Sequence, residues 1–163
     1  MSGRETPPCS CLAFFKKISN SPPNPSLCLA SRSTRSTTGN PVFWTGDLNV
    51  AHKALDCYND GAKHLAKQAG LTPEERASFT EQLSDGFVDG FRHMYPEAGG
   101  HYTYWSQRAG NRAPNKGLRL DYFICEESMV NGGPVRLADT YMDPELTGSD
   151  HGCIIGVFEA DAV

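Results

Sequence analysis

Short apolar runs separated by long polar stretches give the first reading of this chain. Val42-Phe43-Trp44-Thr45 is β-prone and stops at Gly46, which predicts a buried strand. A polar, helix-compatible stretch then runs to Gln68. A helix start follows, with Thr72 as N-cap, Pro73 at the first helical position and Glu75 closing a capping box. Phe79 and Leu83 lie four apart on one face of that helix, and Gly86 ends it. Tyr102-Thr103-Tyr104-Trp105 and Leu118–Cys125 read as strands. A turn at Gly132-Gly133-Pro134 precedes Val135-Arg136-Leu137, and Cys153–Phe158 reads as a closing strand. Strands set apart by helix and long loops predict an α/β layered fold. No internal repeat is visible.

Residues 1–40 have a different texture. They are rich in Ser, Thr and Pro, with Pro22-Pro23-Asn24-Pro25 and the run Ser31-Arg32-Ser33-Thr34-Arg35. Such a stretch buries too little apolar surface to offset its ordering entropy, so it is expected to be a disordered leader. Its Arg- and Ser-rich, acid-poor composition also fits an organelle transit segment. The remaining residues, 41–163, suit one modest domain, since a chain of 163 residues buries enough surface for a single core.

Charge and cysteine usage narrow the picture. Five of the 15 basic residues but only one of the 19 acidic ones, Glu5, fall in residues 1–40. Positions 41–163 therefore hold 10 basic and 18 acidic residues, a net of −8, so an overall basic nucleic-acid signature is absent. Any DNA binding must come from a local patch or from carboxylates neutralised by metal. No apolar run reaches the length of a membrane span, and Lys16-Lys17 cuts short the patch Cys11–Phe15, which argues against a secretory signal. The six cysteines form no CxxC and no repeated spacing, so neither a disulfide framework nor a zinc site is expected.

Three polar groups stand at strand edges where packing alone would not put them. In Gly46-Asp47-Leu48-Asn49-Val50-Ala51-His52, Asp47 and Asn49 can offer two oxygens to a hard cation or a phosphate. An Asx-turn, in which Asp47 only caps the following backbone, explains the same spacing. Asp121 lies inside an apolar run, where a carboxylate needs a partner. A histidine would make it functional, and Arg119 or Arg136 would make it a structural ion pair. In Gly148-Ser149-Asp150-His151-Gly152, Asp150 offers an oxygen and His151 an imidazole able to serve as base or phosphate ligand.

Taken in order, these stretches carry a resemblance. With Ala69-Gly70-Leu71-Thr72-Pro73-Glu74-Glu75-Arg76, Asp89-Gly90-Phe91-Arg92-His93-Met94-Tyr95-Pro96 and Leu118-Arg119-Leu120-Asp121-Tyr122-Phe123, the chain resembles the exonuclease III family of abasic-site endonucleases, within the endonuclease/exonuclease/phosphatase superfamily. The resemblance covers most of residues 41–163 and implies the second half of a four-layer α/β sandwich with mixed, mainly antiparallel sheets. It implies magnesium-dependent hydrolysis 5′ to abasic sites in double-stranded DNA, with manganese as a substitute. Asp47 would activate the attacking water and Asn49 hold the oxyanion. Asp121 would orient His151, which contacts the scissile phosphate, and Asp150 would join Asp47, Asn49 and His151 near the metal. Tyr104, Leu118 and Leu120 would line the pocket for the extruded sugar, and Arg112 would contact phosphate or groove, or else be a solvated loop charge. The nucleus is the implied compartment, with mitochondrion or plastid as the alternative.

The departures also carry expectations. The family's domain opens with a half bearing an Asn, a Glu metal ligand and a catalytic Tyr, and nothing in residues 1–40 resembles it. The polypeptide alone is therefore expected to nick weakly or not at all, and to associate through an exposed apolar sheet face. The alternatives are a non-catalytic fragment that binds DNA or a complementing half, and a superfamily phosphodiesterase for lipid or inositol phosphates.

Overall fold

The computed structural model describes residues 41–146 and 148–161. The leader expected at 1–40 lies outside the described residues. Strand β1 (Phe43–Asp47) pairs antiparallel with β3 (Asp121–Glu126), which pairs on its other side with the short β2 (Phe87–Asp89). A second sheet is the antiparallel pair β4 (Val135–Asp143) and β5 (Cys153–Ala160), with a register shift between Leu137 and Asp139. The architecture is mixed α/β with antiparallel sheets.

Alternation along β1 gives the first sheet two faces. Trp44 stacks on Phe87 and joins Val50, Phe79, Tyr122 and Ile124 in one core cluster. Helix α1 (Pro73–Leu83) covers this side, supplying the fully buried Phe79. Its N-terminus closes as the sequence predicts: the Thr72 hydroxyl accepts from the Glu75 amide, and the Glu75 carboxylate accepts from the Thr72 amide. On the opposite face, Phe43 stacks on Phe158 of β5 and Phe123 lies edge-on to the same ring, which brings the two sheets together. Phe43 remains 40% exposed, so this face is only partly covered among the described residues.

Several expectations shift. The helix-compatible stretch before Gln68 forms two single turns of 3-10 helix, Ala54–Asp56 and Leu65–Lys67. Tyr102–Trp105 forms no strand: Tyr104 makes isolated bridges to Leu118 and to His151, so the segment is shared between two partners. The strand expected from Leu118 begins at Asp121, because the Leu118 and Arg119 backbones bond to Tyr104 and to Asp56 instead. The turn at 132–134 leads into a nine-residue strand that continues well past Leu137. β2 and the short helix α2 (Gly90–Met94) were not anticipated.

Beneath the first sheet lies a buried charge network. Arg119 is fully buried, and its guanidinium grips both oxygens of Asp56 (2.8 and 3.0 Å) and both oxygens of Asp89. Arg92 of α2 also binds Asp56 and caps the carbonyls of Tyr95, Pro96 and Ala98. Burial pushes the Asp56 carboxyl up, but the charge and hydrogen bonds of Arg119, with those from the Lys53 amide and Arg92, together outweigh it and hold the group below its usual range. Two acids and two bases thus neutralise one another out of water, as buried charges require.

Candidate active site

The site grows from a register. Asp47 ends β1 and Asp121 begins β3, and the two face each other directly across the ladder. Like charges in such a pair repel, so the arrangement calls for positive charge nearby. His151, bridged to Tyr104 just before β5, supplies it. Its Nδ1 donates to Asp121 Oδ2 at 2.8 Å, and its Nε2 lies 3.9 Å from Asp47 Oδ2. The hydrogen bond the ring donates to Asp121 is the main reason the imidazole's pKa is raised; burial opposes it, and the charges of Asp121, Asp47 and Asp150 assist. For Asp47 burial is the largest influence, and its carboxyl is raised above the ordinary range.

The loop after β1 is held from several sides. The Asn49 amide donates to Asp47 Oδ1 at 2.9 Å, so the Asx-turn is present alongside the cluster. Asn49 has φ of 55°, in the left-handed region where Asn is among the tolerated residues. Leu48 donates to the Leu120 carbonyl, Ala51 to the Gly70 carbonyl, and the Tyr122 hydroxyl to the Val50 carbonyl. Gly70 has φ of +82°, and a Cβ there would sit 2.6 Å from the Asn49 oxygen, so only glycine lets this loop close. His52, in the same motif, turns inward. It is buried edge-on to Phe79, binds the Thr80 hydroxyl at 2.7 Å, and burial lowers its pKa to about 4.

Asp47, Asp121 and His151 place one ligand atom each within 4.8 Å of one another. Two carboxylate oxygens and an imidazole suit a divalent cation, and the carboxylates favour a hard one. Asn49 joins them through its hydrogen bonds to Asp47. Asp150 does not belong to this three-ligand group; its carbonyl accepts from the Trp105 amide, and its carboxylate acts on His151 through charge. The ion-pair alternative for Asp121 is not realised, since Arg119 serves Asp56 and Asp89 while Arg136 serves Asp161 and Glu159.

The other expected contacts divide. The Tyr104 ring stands 5.2 Å from the His151 ring and is half-buried, beside the cluster. Leu118 and Leu120 are instead core residues, 7% and 6% exposed, packed with Ala51, Leu65 and Leu71. They present almost no surface to a sugar because their segment is pinned between Tyr104 and Asp56. Arg112 is neither a solvated loop charge nor an extended arm. It donates to the carbonyls of Ser149, Pro144 and Leu146 at 2.8–3.1 Å and lies 4.8 Å above the Trp105 ring.

The family model described as "Endonuclease/Exonuclease/phosphatase family" matches residues 19–151. The chain belongs to this family. Among its relatives, an exodeoxyribonuclease of Bacillus subtilis is 44% identical over 111 residues, 68% of this chain and 42% of that protein. A DNA-(apurinic or apyrimidinic site) endonuclease of Dictyostelium discoideum is 43% identical over 117 residues, 72% of this chain and 31% of that protein. The crystal structure of an AP endonuclease from Leishmania major superposes with a TM-score of 0.73 at 35% identity, covering 85% of this chain and 43% of that one. The chain thus resembles the exodeoxyribonuclease and AP endonuclease members of the family, and spans less than half the length of each of these three.

Proposed function

We propose that this chain acts in hydrolysis of the DNA backbone 5′ to abasic sites, with magnesium, or manganese in its place, as the cation. The observation that carries the reading is the Asp121–His151 hydrogen bond facing Asp47 across a cross-strand register. Asp121 keeps the imidazole oriented and favours its protonated form, which suits His151 to an anionic phosphodiester oxygen. Asp47, whose carboxyl burial makes more basic, is placed to take a proton from an attacking water. Asn49 stands beside it as a neutral donor for the oxygen on which negative charge develops. Asp47 and Asp121 are the residues whose carboxylates would hold the cation, which supplies charge neutralisation and Lewis acidity, while the protonated His151 is kept for the phosphate. Relatives named as exodeoxyribonuclease and AP endonuclease point to DNA rather than to lipid or inositol phosphates.

The test is incubation of the chain with magnesium and a duplex bearing one abasic-site analogue. A nick 5′ to the analogue is expected, reduced about 100-fold or more in Asp47→Asn and His151→Ala, in line with loss of a proton-transfer group. The chain by itself should nick weakly, and more strongly when the B. subtilis relative's segment outside the matched region is added. That pattern follows from the partly open face around Phe43. Absence of nicking under both conditions, or preferential turnover of inositol or lipid phosphates, would refute the assignment; DNA binding without cleavage would favour a non-catalytic fragment.

A further inference from the structure

Thr103 sits at the junction of the two chain segments that make the Asp121–His151 pair. It is fully buried, and its hydroxyl accepts hydrogen bonds from two consecutive amides, Leu120 at 2.9 Å and Asp121 at 3.0 Å. Its carbonyl accepts from the amide of Gly152, the residue after His151. Two residues further along, the Trp105 amide donates to the carbonyl of Asp150, the residue before His151. The backbone on both sides of the histidine is therefore tied to the segment whose threonine hydroxyl holds the backbone of the aspartate.

We propose that Thr103 is a positioning residue that fixes the Asp121–His151 hydrogen bond by holding the Asp121 amide with its side chain and the Gly152 amide with its main chain. Its place in catalysis rests on the phosphodiesterase reading above; its place in the geometry does not. The segment 102–105 gives up strand pairing and bridges both chain segments. The hydroxyl is essential to that arrangement. Asp121 begins β3, and its amide and that of Leu120 converge on a side chain rather than on a neighbouring strand. A valine in this place keeps the shape but offers no acceptor, which leaves two buried donors unpaired. A serine keeps the acceptor and loses only a methyl group.

The experiment compares Thr103→Val and Thr103→Ser in the full chain, by proton–nitrogen spectra of the histidine side chains. A downfield, slowly exchanging His151 Nδ1 proton is expected in the wild type and in Thr103→Ser. In Thr103→Val it should broaden away or move upfield, while core methyl signals of Val50 and Ile124 stay in place. In the abasic-duplex assay, Thr103→Val should lose about 100-fold in rate, the cost of an ångström-scale misplacement, and Thr103→Ser should stay close to wild type. The proposal is overturned if Thr103→Val keeps the Nδ1 signal, if Thr103→Ser loses it equally, or if the core signals move with it. Should the wild type fail to nick while the spectra follow the expected pattern, Thr103 keeps its assignment and the phosphodiesterase reading is what falls.

Discussion

Two histidines show how far residue identity goes. His52 and His151 both stand in short polar motifs near strand ends, and the spacing alone does not separate their roles. The structure sends them in opposite directions. His52 is buried against Phe79 with its pKa lowered to about 4, whereas Asp121 raises that of His151. The pH consequences differ in sign. For His52 the folded value lies below the unfolded 6.5, so its contribution to stability is present above pH 6.5 and is lost as the pH falls through 6.5 toward 4. Urea midpoints measured from pH 7 to pH 4.5 should therefore fall more steeply for the wild type than for His52→Asn. Parallel curves would contradict the buried neutral ring. What sequence could show at this scale was that Asp47, Asn49, Asp121 and His151 are residue types suited to a cation and a phosphate. Which of them meet required the register of β1 on β3.

Elements divide by whether their determinants are local. Helix α1 begins where Thr72, Pro73 and Glu75 place it, because a capping box is settled within four residues. Tyr102–Trp105 has the composition of a strand but is not one, since its backbone donors are taken by Leu118 and Asp150, residues distant in the chain. The loop preceding β5 has the same dependence. Arg112 ties the carbonyls of Pro144, Leu146 and Ser149 together over the Trp105 ring, and this strut steadies the approach to His151. Arg112→Ala should cost about 1–2 kcal/mol of local stability, hence roughly tenfold faster amide exchange in residues 148–152, with the α1 amides unchanged. Equal exchange in both proteins would show that the loop does not depend on the guanidinium. A positive residue in a polar loop reads naturally as a ligand contact; only the folded loop shows it turned onto its own carbonyls.

At the scale of the molecule, the Arg119 network joins three distant stretches of chain: the turn at Ala54–Asp56, the β2–α2 corner and the start of β3. Arg119→Met should lower stability by about 3–5 kcal/mol in denaturant titrations, because two buried carboxylates lose their common partner. Arg76→Ala, which removes a more exposed pair with Asp60, should cost no more than about 1 kcal/mol. Similar losses in the two variants would mean that the network carries no special share of the fold. The sequence by itself determined the layered α/β class, the capped helix and the set of residues able to do phosphate chemistry. Those properties follow from local periodicity, capping and side-chain type. Tertiary structure alone decided that Arg119 answers Asp56 and Asp89 rather than Asp121, that Leu118 and Leu120 belong to the core, and that Thr103 reaches both sides of the dyad. Each of these depends on which buried polar group finds a partner, and such partners are brought together by strand register and packing over tens of residues.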